Sequence, residues 1–337
     1  MDPISQGAFG AIFAQTVSSR KKYLAVSILG CIAGLSPDLD ALIRSSSDPL
    51  LKLEFHRQFT HSLIFIPFGA LIVALCTRFI FKKYLNFLES FFICFVGYAT
   101  HGLLDSCTSY GTQLFWPFSN ERVSWNNISI IDPLLTIPII AFICFTIIKR
   151  KKWIAIVGVT YIFSYLGLGV LQSNRADVAG KFLAKERGHE GIKLTVKPSF
   201  GNLILWKTIY EDNGYYYVDA VRLLSEVENC PGTKIKKLNV ASDFPNLKQN
   251  SQQFKDIKRF YWFSQEYLGL ANDKNVITDV RYSAVPNEVD GLWGIKIDPL
   301  KSNNQHVEWV VNRSEYKAKL NKFLDLLLGK NCIKEIN

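Results

Sequence analysis

Long apolar runs fill the first half of the chain, whereas the second half mixes apolar and polar positions in the manner of a soluble domain. Three of the runs are about 20 residues long, the length that crosses a hydrocarbon core of roughly 30 Å as a helix. These runs and a shorter fourth cover residues 62–81, 128–148, 153–172 and 88–104, and two still shorter runs cover residues 4–17 and 23–35. The last two can pair as a hairpin of tilted or re-entrant helices, so the pattern predicts four to six membrane helices.

The second half carries shorter elements with a different periodicity. Clusters of β-branched and aromatic residues predict strands, and Asn213-Gly214 is typical of a tight hairpin turn. The predicted strands cover 192–198, 202–211, 214–224, 275–282, 290–298 and 306–311, and the predicted helices cover 173–188, 250–270 and 313–329. Because strands and helices are grouped rather than alternating, the expected fold is a multi-span α-helical membrane domain, residues 1–172, followed by a soluble α+β domain, residues 173–337.

The formal net charge of +10 is compatible with a nucleic-acid partner, but the basic residues stand in short runs beside the apolar segments. That distribution is the positive-inside pattern of an integral membrane protein, so no nucleic acid is expected as a partner. It places the runs at 20–22, 82–83 and 149–152 on the cytoplasmic side of an inner membrane. The loops 36–61 and 105–127, and everything after residue 172, are then expected on the outer, periplasmic face.

Three polar clusters stand at the ends of apolar runs, all on the predicted outer face. They read Ser36-Pro37-Asp38-Leu39-Asp40, His56-Arg57-Gln58-Phe59-Thr60-His61-Ser62 and His101-Gly102-Leu103-Leu104-Asp105. Ionisable side chains at membrane depth are costly, which indicates a functional role. Together the clusters offer imidazoles and carboxylates at one membrane face, a ligand set that suits zinc, manganese or iron rather than calcium. A metal held there can activate water for hydrolysis.

Each group taken alone has a simpler interpretation. His101 and Asp105 are four positions apart, so on a helix they share a face, where they either bind one cation or brace the helix end by a hydrogen bond. Arg57 either binds an anionic group such as a phosphate or anchors the chain at the interface. Asp132, which precedes Pro133, is expected to cap the following helix rather than to bind a metal.

The remaining histidines and the cysteines offer little chemistry. The seven cysteines show no metal-ligand spacing. Cys230 and Cys332 are the only two after residue 172, and they either form a disulfide in a periplasmic domain or remain free thiols. His189 and His306 stand alone in the sequence and are expected to be ordinary surface residues.

The first half resembles the YdjM-like family of membrane-bound metal-dependent hydrolases. The matching stretches are MDPISQGAFGA, LSPDLD, HRQFTHS, HGLLDSCTSYGTQLFWPFS and NNISIIDP, all before about residue 150, and less distinctively KPSFGNLILWK in the second half. The resemblance implies a metal and catalytic set made of Asp38, Asp40, His56, His61, His101 and Asp105. Many members read Thr-His where this chain has Ser5-Gln6. Because an amide is a poorer zinc ligand than an imidazole, Gln6 is either a weak oxygen ligand, a contact to substrate or water, or the mark of a lost metal position, and a site for one metal is expected rather than for two.

The expected function is metal-dependent hydrolysis of an ester or phosphoester in a membrane lipid or lipid-linked substrate at the outer face. The expected ligands are Asp38, His56, His61, His101 and Asp105, and the expected metal is zinc, with manganese and iron as alternatives. Asp40 is expected to act as the general base and Arg57 to bind the anionic group of the substrate. The alternative is a non-catalytic membrane protein in which the cluster is a structural ion site or part of a transport path.

Overall fold

The computed structural model describes residues 1–18, 22–273, 275–312 and 316–334, and it divides into two compact units. The first unit comprises residues 1–43, 55–171 and 200–203. The second comprises residues 44–54, 172–199 and 204–337, and we call it the outer unit because it contains the soluble domain predicted for the outer face.

The first half of the chain folds into helices. They are α1 (Pro3–Val17), α2 (Tyr23–Leu35), α3 (Leu51–Phe55), α4 (Ile66–Phe81), α5 (Phe87–Ser106), α6 (Pro133–Lys149) and α7 (Lys152–Glu186). Within the described residues four helical stretches are long and apolar enough to cross a membrane, and they are Tyr23–Leu42, Leu63–Phe81, Phe87–Ser106 and Lys152–Glu186; α6 is apolar but shorter. Large apolar side chains such as Phe79, Ile148 and Phe163 are exposed on these helices, as lipid-facing residues are. The predicted membrane domain is confirmed.

Helices α1 and α2 pack with their backbones in direct contact, as the predicted hairpin requires. A Cβ added at Gly10 would lie 2.2 Å from the backbone oxygen of Gly30, and one added at Gly34 would lie 2.6 Å from that of Gln6. Only glycine permits such close approach, which is the small-residue packing of membrane helices. The contact places Gln6 of α1 beside Gly34 of α2. Of the basic run 20–22, predicted between these helices, only Lys22 lies within the described residues.

The outer unit is an α+β fold with two antiparallel sheets, as predicted. One sheet has the order β1-β2-β3-β4-β9 and the other β5-β6-β7-β8. The strands are β1 (Leu194–Pro198), β2 (Leu205–Asp212), β3 (Tyr215–Leu223), β4 (Val227–Lys236), β5 (Leu268–Leu270), β6 (Val276–Asp279), β7 (Trp293–Lys296), β8 (Glu308–Val311) and β9 (Ile333–Lys334); the helices are α8 (Val240–Asp243), α9 (Gln252–Phe263) and α10 (Tyr316–Leu327). Asn213 and Gly214 join β2 to β3 with φ of 47° and 75°, the left-handed pair that a tight hairpin requires.

The helix predicted at 173–188 is confirmed as the last part of α7, which ends at Glu186. Two other element predictions need correction. The helix predicted at 250–270 ends at Phe263, since Gln265 and Glu266 take positive φ, and residues 268–270 form β5. Strand β4 is missing from the prediction because Pro231-Gly232 is typical of a turn. Here the strand continues through it with a shift of register opposite β3.

Two lysines lie buried side by side in the outer unit. Lys197 on β1 and Lys207 on β2 are direct cross-strand partners, and each is about 4% exposed. The Nζ of Lys207 donates to Ser283 Oγ at 2.8 Å and to the backbone oxygen of Glu288 at 3.0 Å. Burial lowers the pKa of Lys207 to about 7, although Asp279 and Glu288 oppose the shift, and burial holds the pKa of Lys197 well below its usual value.

Cys230 on β4 and Cys332 beside β9 form a disulfide that spans 102 positions of the sequence. A crosslink over so long a loop removes many conformations from the unfolded chain. We expect the double substitution Cys230→Ala and Cys332→Ala to lower the free energy of unfolding of the outer unit by about 2–4 kcal/mol. Thermal unfolding of the purified chain, with and without a thiol reductant, measures the change. The matched control is Cys76→Ala, which removes a free, exposed thiol. Equal melting temperatures for the double variant and this control would contradict the prediction.

Candidate metal centre

Two short turns and one helix carry four of the five predicted ligands, and the fifth, His56, directly follows α3. Asp38 and Asp40 lie in a 3-10 turn, Ser36–Leu42, that follows α2. His61 ends a second 3-10 turn, Phe59–His61. His101 and Asp105 occupy the last turns of α5. The three motifs, separated by up to about 65 positions, therefore meet at one end of the helices.

The turn that carries His61 approaches α5 closely because residue 102 is a glycine. A Cβ added at Gly102 would lie 2.4 Å from the backbone oxygen of His61. The hydroxyl of Tyr98 on α5 donates to the backbone oxygen of Thr60 at 2.9 Å and fixes the same turn. As a result the rings of His61 and His101 lie 4.5 Å apart, centroid to centroid.

Four ligand atoms converge on one point: His61 Nε2, His101 Nε2, Asp38 Oδ1 and Asp105 Oδ2. The two nitrogens are 2.9 Å apart. The nitrogen of His61 lies 3.5 Å from each carboxylate oxygen, and that of His101 lies 3.3 Å from Asp38 and 4.0 Å from Asp105. Atoms that bind one zinc ion in a tetrahedron at 2.0–2.1 Å lie roughly 3.3 Å from each other. The four atoms have the spacing of a tetrahedral cation site.

The outer hydrogen bonds of the two histidines leave lone pairs at the centre. The Nδ1 of His101 lies 2.5 Å from the backbone oxygen of Gly34, which can only accept, so this nitrogen donates. The Nδ1 of His61 lies 3.2 Å from the Asp40 carboxylate and 3.0 Å from Thr60 Oγ1, whose own proton goes to Asp40. In the neutral imidazoles both Nε2 atoms are then acceptors. Two lone pairs facing each other between two carboxylates repel, and a cation among them removes the repulsion.

Asp40 orients the two histidines of its neighbouring loop. Its Oδ1 accepts from His56 Nδ1 at 2.7 Å, while its Oδ2 accepts from Thr60 Oγ1 at 2.6 Å and from the backbone N–H of Arg57 at 3.1 Å. A carboxylate that holds the outer nitrogen of a ligating histidine fixes its tautomer and ring orientation. Asp38, Asp40 and His56 also form a second group close enough to hold a cation, so Asp38 is shared by both groups.

Arg57 is buried beside the centre, about 5% exposed. Its Nε lies 2.9 Å from Asp105 Oδ2, and its guanidinium lies 4.7 Å from the centroid of the Tyr110 ring. The backbone of Arg57 takes a φ of 67°, a left-handed conformation that costs a non-glycine residue about 1–2 kcal/mol. The hydrogen bonds of its N–H to Asp40 and of its carbonyl oxygen to Gln113 N hold that conformation.

Gln6 lies at the centre, where the resemblance singled it out. It is fully buried, and its Nε2 donates to Asp105 Oδ1 at 2.8 Å. Because a carboxylate only accepts, this contact fixes the orientation of the amide. Gln6 therefore holds one oxygen of Asp105 so that the other faces the histidines. The α-amino group of Met1 donates to the same Oδ1. The Oε1 of Gln6 is buried and has no hydrogen-bond partner among the described residues.

Asp132 caps α6, as predicted, and its Oδ1 accepts from the backbone N–H of Leu135 at 3.3 Å. The hydroxyl of Tyr165 donates to the same carboxylate. Two residues with no local sequence signal also join the centre. They are Gly34, through its carbonyl oxygen, and Thr60, through its hydroxyl. The histidine motif contains Thr60, but only the fold shows what it contacts.

Both histidines of the outer unit, predicted to be surface residues, are partly exposed, and each has polar partners. His189 lies 3.0 Å from the hydroxyl of Tyr210. The Nδ1 of His306 lies 2.9 Å from Asp256 Oδ2 and 3.8 Å from Asp48 Oδ1, a third group of metal-ligand type. The guanidinium of Arg259 already lies between Asp48 and Asp256, so a cationic side chain fills this third group. The partners lie tens to hundreds of positions away, and no local pattern reveals them.

Comparison with known proteins adds one family and one relative. The family model of the YdjM inner membrane protein matches residues 1–176. An uncharacterised protein, YfhP of Bacillus subtilis (strain 168), is 28% identical over 119 residues, which is 35% of this chain and 36% of that protein. The alignment therefore spans about a third of the relative. No solved structure matches the chain.

Proposed function

Since the chain belongs to the YdjM inner membrane protein family, we propose that it is a membrane-bound, metal-dependent hydrolase whose metal centre is the group around His61 and His101. The observation that supports the proposal is the convergence of two imidazole lone pairs and two carboxylate oxygens. Mixed nitrogen and oxygen ligands at tetrahedral spacing fit zinc best, and they also fit manganese or iron. A cation bound there would polarise a carbonyl or phosphoryl oxygen and make water a stronger acid.

The residues around the centre would have distinct roles. His61, His101 and Asp105 are ligands, and Asp38 is the partly exposed ligand, with 27% of its side chain accessible. His56 lies in the second group, and because a site for one metal is expected, we assign it to proton transfer and not to a second cation. The oxygens of Asp40 already accept several hydrogen bonds, so we assign its general-base role to the Asp40–His56 pair, in which the partly exposed imidazole takes the proton. Arg57 balances the charge of Asp105 and lies where it can also meet an anionic group.

The position of the centre suggests the substrate class. The ligands lie at the ends of apolar helices, where a lipid headgroup or a lipid-linked phosphoester is within reach. The Cys230–Cys332 disulfide favours an oxidising compartment for the outer unit, in agreement with the positive-inside pattern, so we place that unit and the centre on the periplasmic face. An ester or phosphoester of a membrane lipid or lipid-linked molecule is the proposed substrate.

One observation favours a second candidate function, a structural ion site without catalysis. Four protein ligands complete a tetrahedron, and three of the four side chains are fully buried. Structural metal sites are closed in this way, whereas catalytic sites keep an open position. The second group, with His56 20% and Asp38 27% exposed, supplies the opening that a hydrolase needs. A transport path is less well supported, because the ionisable residues lie at helix ends.

The test uses the purified full chain in lipid nanodiscs, stripped with a chelator and reloaded with Zn²⁺, Mn²⁺ or Fe²⁺. We expect bound metal, and metal-dependent hydrolysis within a panel of ester and phosphoester lipids. Asp38→Asn should reduce hydrolysis at least about tenfold, because it weakens the shared ligand. Asp177→Asn, which makes the same change in a surface ion pair with Lys181 on α7, is the matched control. Absence of bound transition metal in the reloaded wild type would overturn the proposal. Bound metal without hydrolysis of any lipid would support the second candidate function, the structural ion site.

A further inference from the structure

The loop between the first two polar clusters belongs to both units. Residues 44–54 belong to the outer unit, whereas the flanking stretches that carry Asp38, Asp40, His56 and His61 belong to the first. Asp40 closes the base of this loop, since its carboxylate binds both the ring of His56 and the backbone N–H of Arg57. We call residues 44–54 the inserted segment.

Arg259 on α9 holds the inserted segment by a fork of hydrogen bonds. Its Nη1 and Nη2 donate to the two oxygens of Asp48 at 3.0 and 2.9 Å, and its Nε donates to Glu54 Oε1 at 2.7 Å. Nη1 also donates to Asp256 Oδ1 at 3.0 Å. Four donor contacts of one planar guanidinium thus bind two acids of the inserted segment and one acid of its own helix. Such forked pairs are the strong, geometrically specific kind.

We call the hydrogen bonds of Arg259 to Asp48 and Glu54 the clamp. The acids on both sides of it are held by further hydrogen bonds. Asp256 is fully buried, and its other oxygen accepts from His306 Nδ1 and from the backbone N–H of Val307, so Arg259 rests on a fixed carboxylate. On the segment, Asp48 also accepts from the backbone N–H of Leu50, which is only 1% exposed. Leu50 and Leu53 line a small cavity together with Phe260, Trp262 and Phe263 of α9.

We propose that Arg259 is a positioning residue for the metal centre: by clamping the inserted segment it holds His56 and Asp40 in the arrangement that binds metal. The inference rests on the proposed metal centre. Glu54, which Arg259 holds, precedes His56 by two residues, with Phe55 alone between them. A free loop between residues 40 and 56 would have to be ordered each time the metal binds, and that ordering costs affinity. The clamp removes this cost before the metal arrives.

The test compares Arg259→Met with Arg187→Met in the full chain in nanodiscs. Arg187 forms an equivalent fork with Asp219 in the outer unit, at 2.6 and 2.8 Å, and its other hydrogen bond goes to Tyr210, so it is a matched control. Zn²⁺ affinity is measured by chelator competition, and the absorption spectrum of bound Co²⁺ reports ligand geometry. We expect Arg259→Met to weaken Zn²⁺ binding about tenfold, because the freed segment must then be ordered when the metal binds, and to change the Co²⁺ spectrum. Trypsin should cut the freed segment after Lys52.

Two further variants distinguish loss of the clamp from a general folding defect of Arg259→Met. Asp48→Asn weakens the same fork from the segment side and should reproduce the effect in part. Combined with Arg259→Met it should add little, because both act on one contact. Equal Zn²⁺ affinity and an unchanged Co²⁺ spectrum in both single variants would overturn the positioning role while leaving the metal centre intact. If the reloaded wild type bound no metal, the proposed function would fail first, and the positioning role with it.

Discussion

The His101→Ala variant is expected to lose tight binding of a divalent cation, with Zn²⁺ affinity at least about 100-fold below that of the wild type. His101 supplies one of four convergent ligand atoms, and its ring is fixed by the hydrogen bond from Nδ1 to the carbonyl oxygen of Gly34. Alanine removes the ligand and leaves a buried carbonyl oxygen without its donor. Water can take the vacated position, as in catalytic zinc sites, but the cation then loses one of its two imidazole ligands and is held less tightly. Elemental analysis after reloading and chelator competition measure the loss.

Asp105→Asn separates the charge of the centre from its shape. Asparagine keeps the volume of the side chain, but its single carbonyl oxygen can accept from Gln6 or face Arg57 and not both, and it removes a negative charge from between the two histidines. We therefore expect it to weaken metal binding nearly as much as His101→Ala. His189→Ala, which removes a partly buried histidine of the outer unit, is the control for loss of an imidazole. If His101→Ala and Asp105→Asn both had the metal content of the wild type, the metal would not be bound by this group of residues.

The Lys207→Met variant is expected to remove a steep pH dependence of stability in the outer unit. The unfolded lysine titrates near its usual pKa of about 10.5, whereas the pKa of the buried amine is lowered to about 7. Between these values the unfolded chain binds one proton more than the folded chain, so the free energy of unfolding rises with pH. Below about pH 7 both states are protonated and the slope vanishes. The neutral amine has two N–H donors, which match its two acceptors, Ser283 Oγ and the Glu288 carbonyl oxygen.

The expected change in the free energy of unfolding is large enough to measure directly. A pKa difference of this kind contributes on the order of 2–3 kcal/mol between about pH 7 and about pH 9. The free energy of unfolding of the wild type, relative to that of Lys207→Met, should therefore rise by that amount between about pH 7 and about pH 9. Denaturant unfolding followed by tryptophan fluorescence measures it, and Lys248→Met, at an exposed lysine, is the control. Because Lys197 lies directly opposite, the slope belongs to the pair, and parallel pH profiles for wild type and Lys207→Met would refute the buried neutral amine.

The parts of the fold that could be predicted from sequence are those written in local patterns. The apolar runs predicted the membrane helices, and Asn213-Gly214 predicted the hairpin between β2 and β3. The three polar motifs contain the ligand residues that meet at the centre. The pairing of Arg259 with Glu54, 205 positions apart, has no local trace. Strand β4 was hidden by Pro231-Gly232, whose usual turn conformation is overridden by pairing with β3. Local signals are lost where a distant partner decides the structure.

The clamp joins residues that are synthesised at different times, which bears on the order of folding and metal binding. Glu54 and Asp48 are synthesised early, and Arg259 is made some 200 residues later. Domains generally fold as their residues emerge, so the membrane helices can be in place while the segment still lacks its partner. Under the proposed positioning role, metal would bind tightly only after the outer unit has folded, and a chain whose synthesis stops early would bind it weakly.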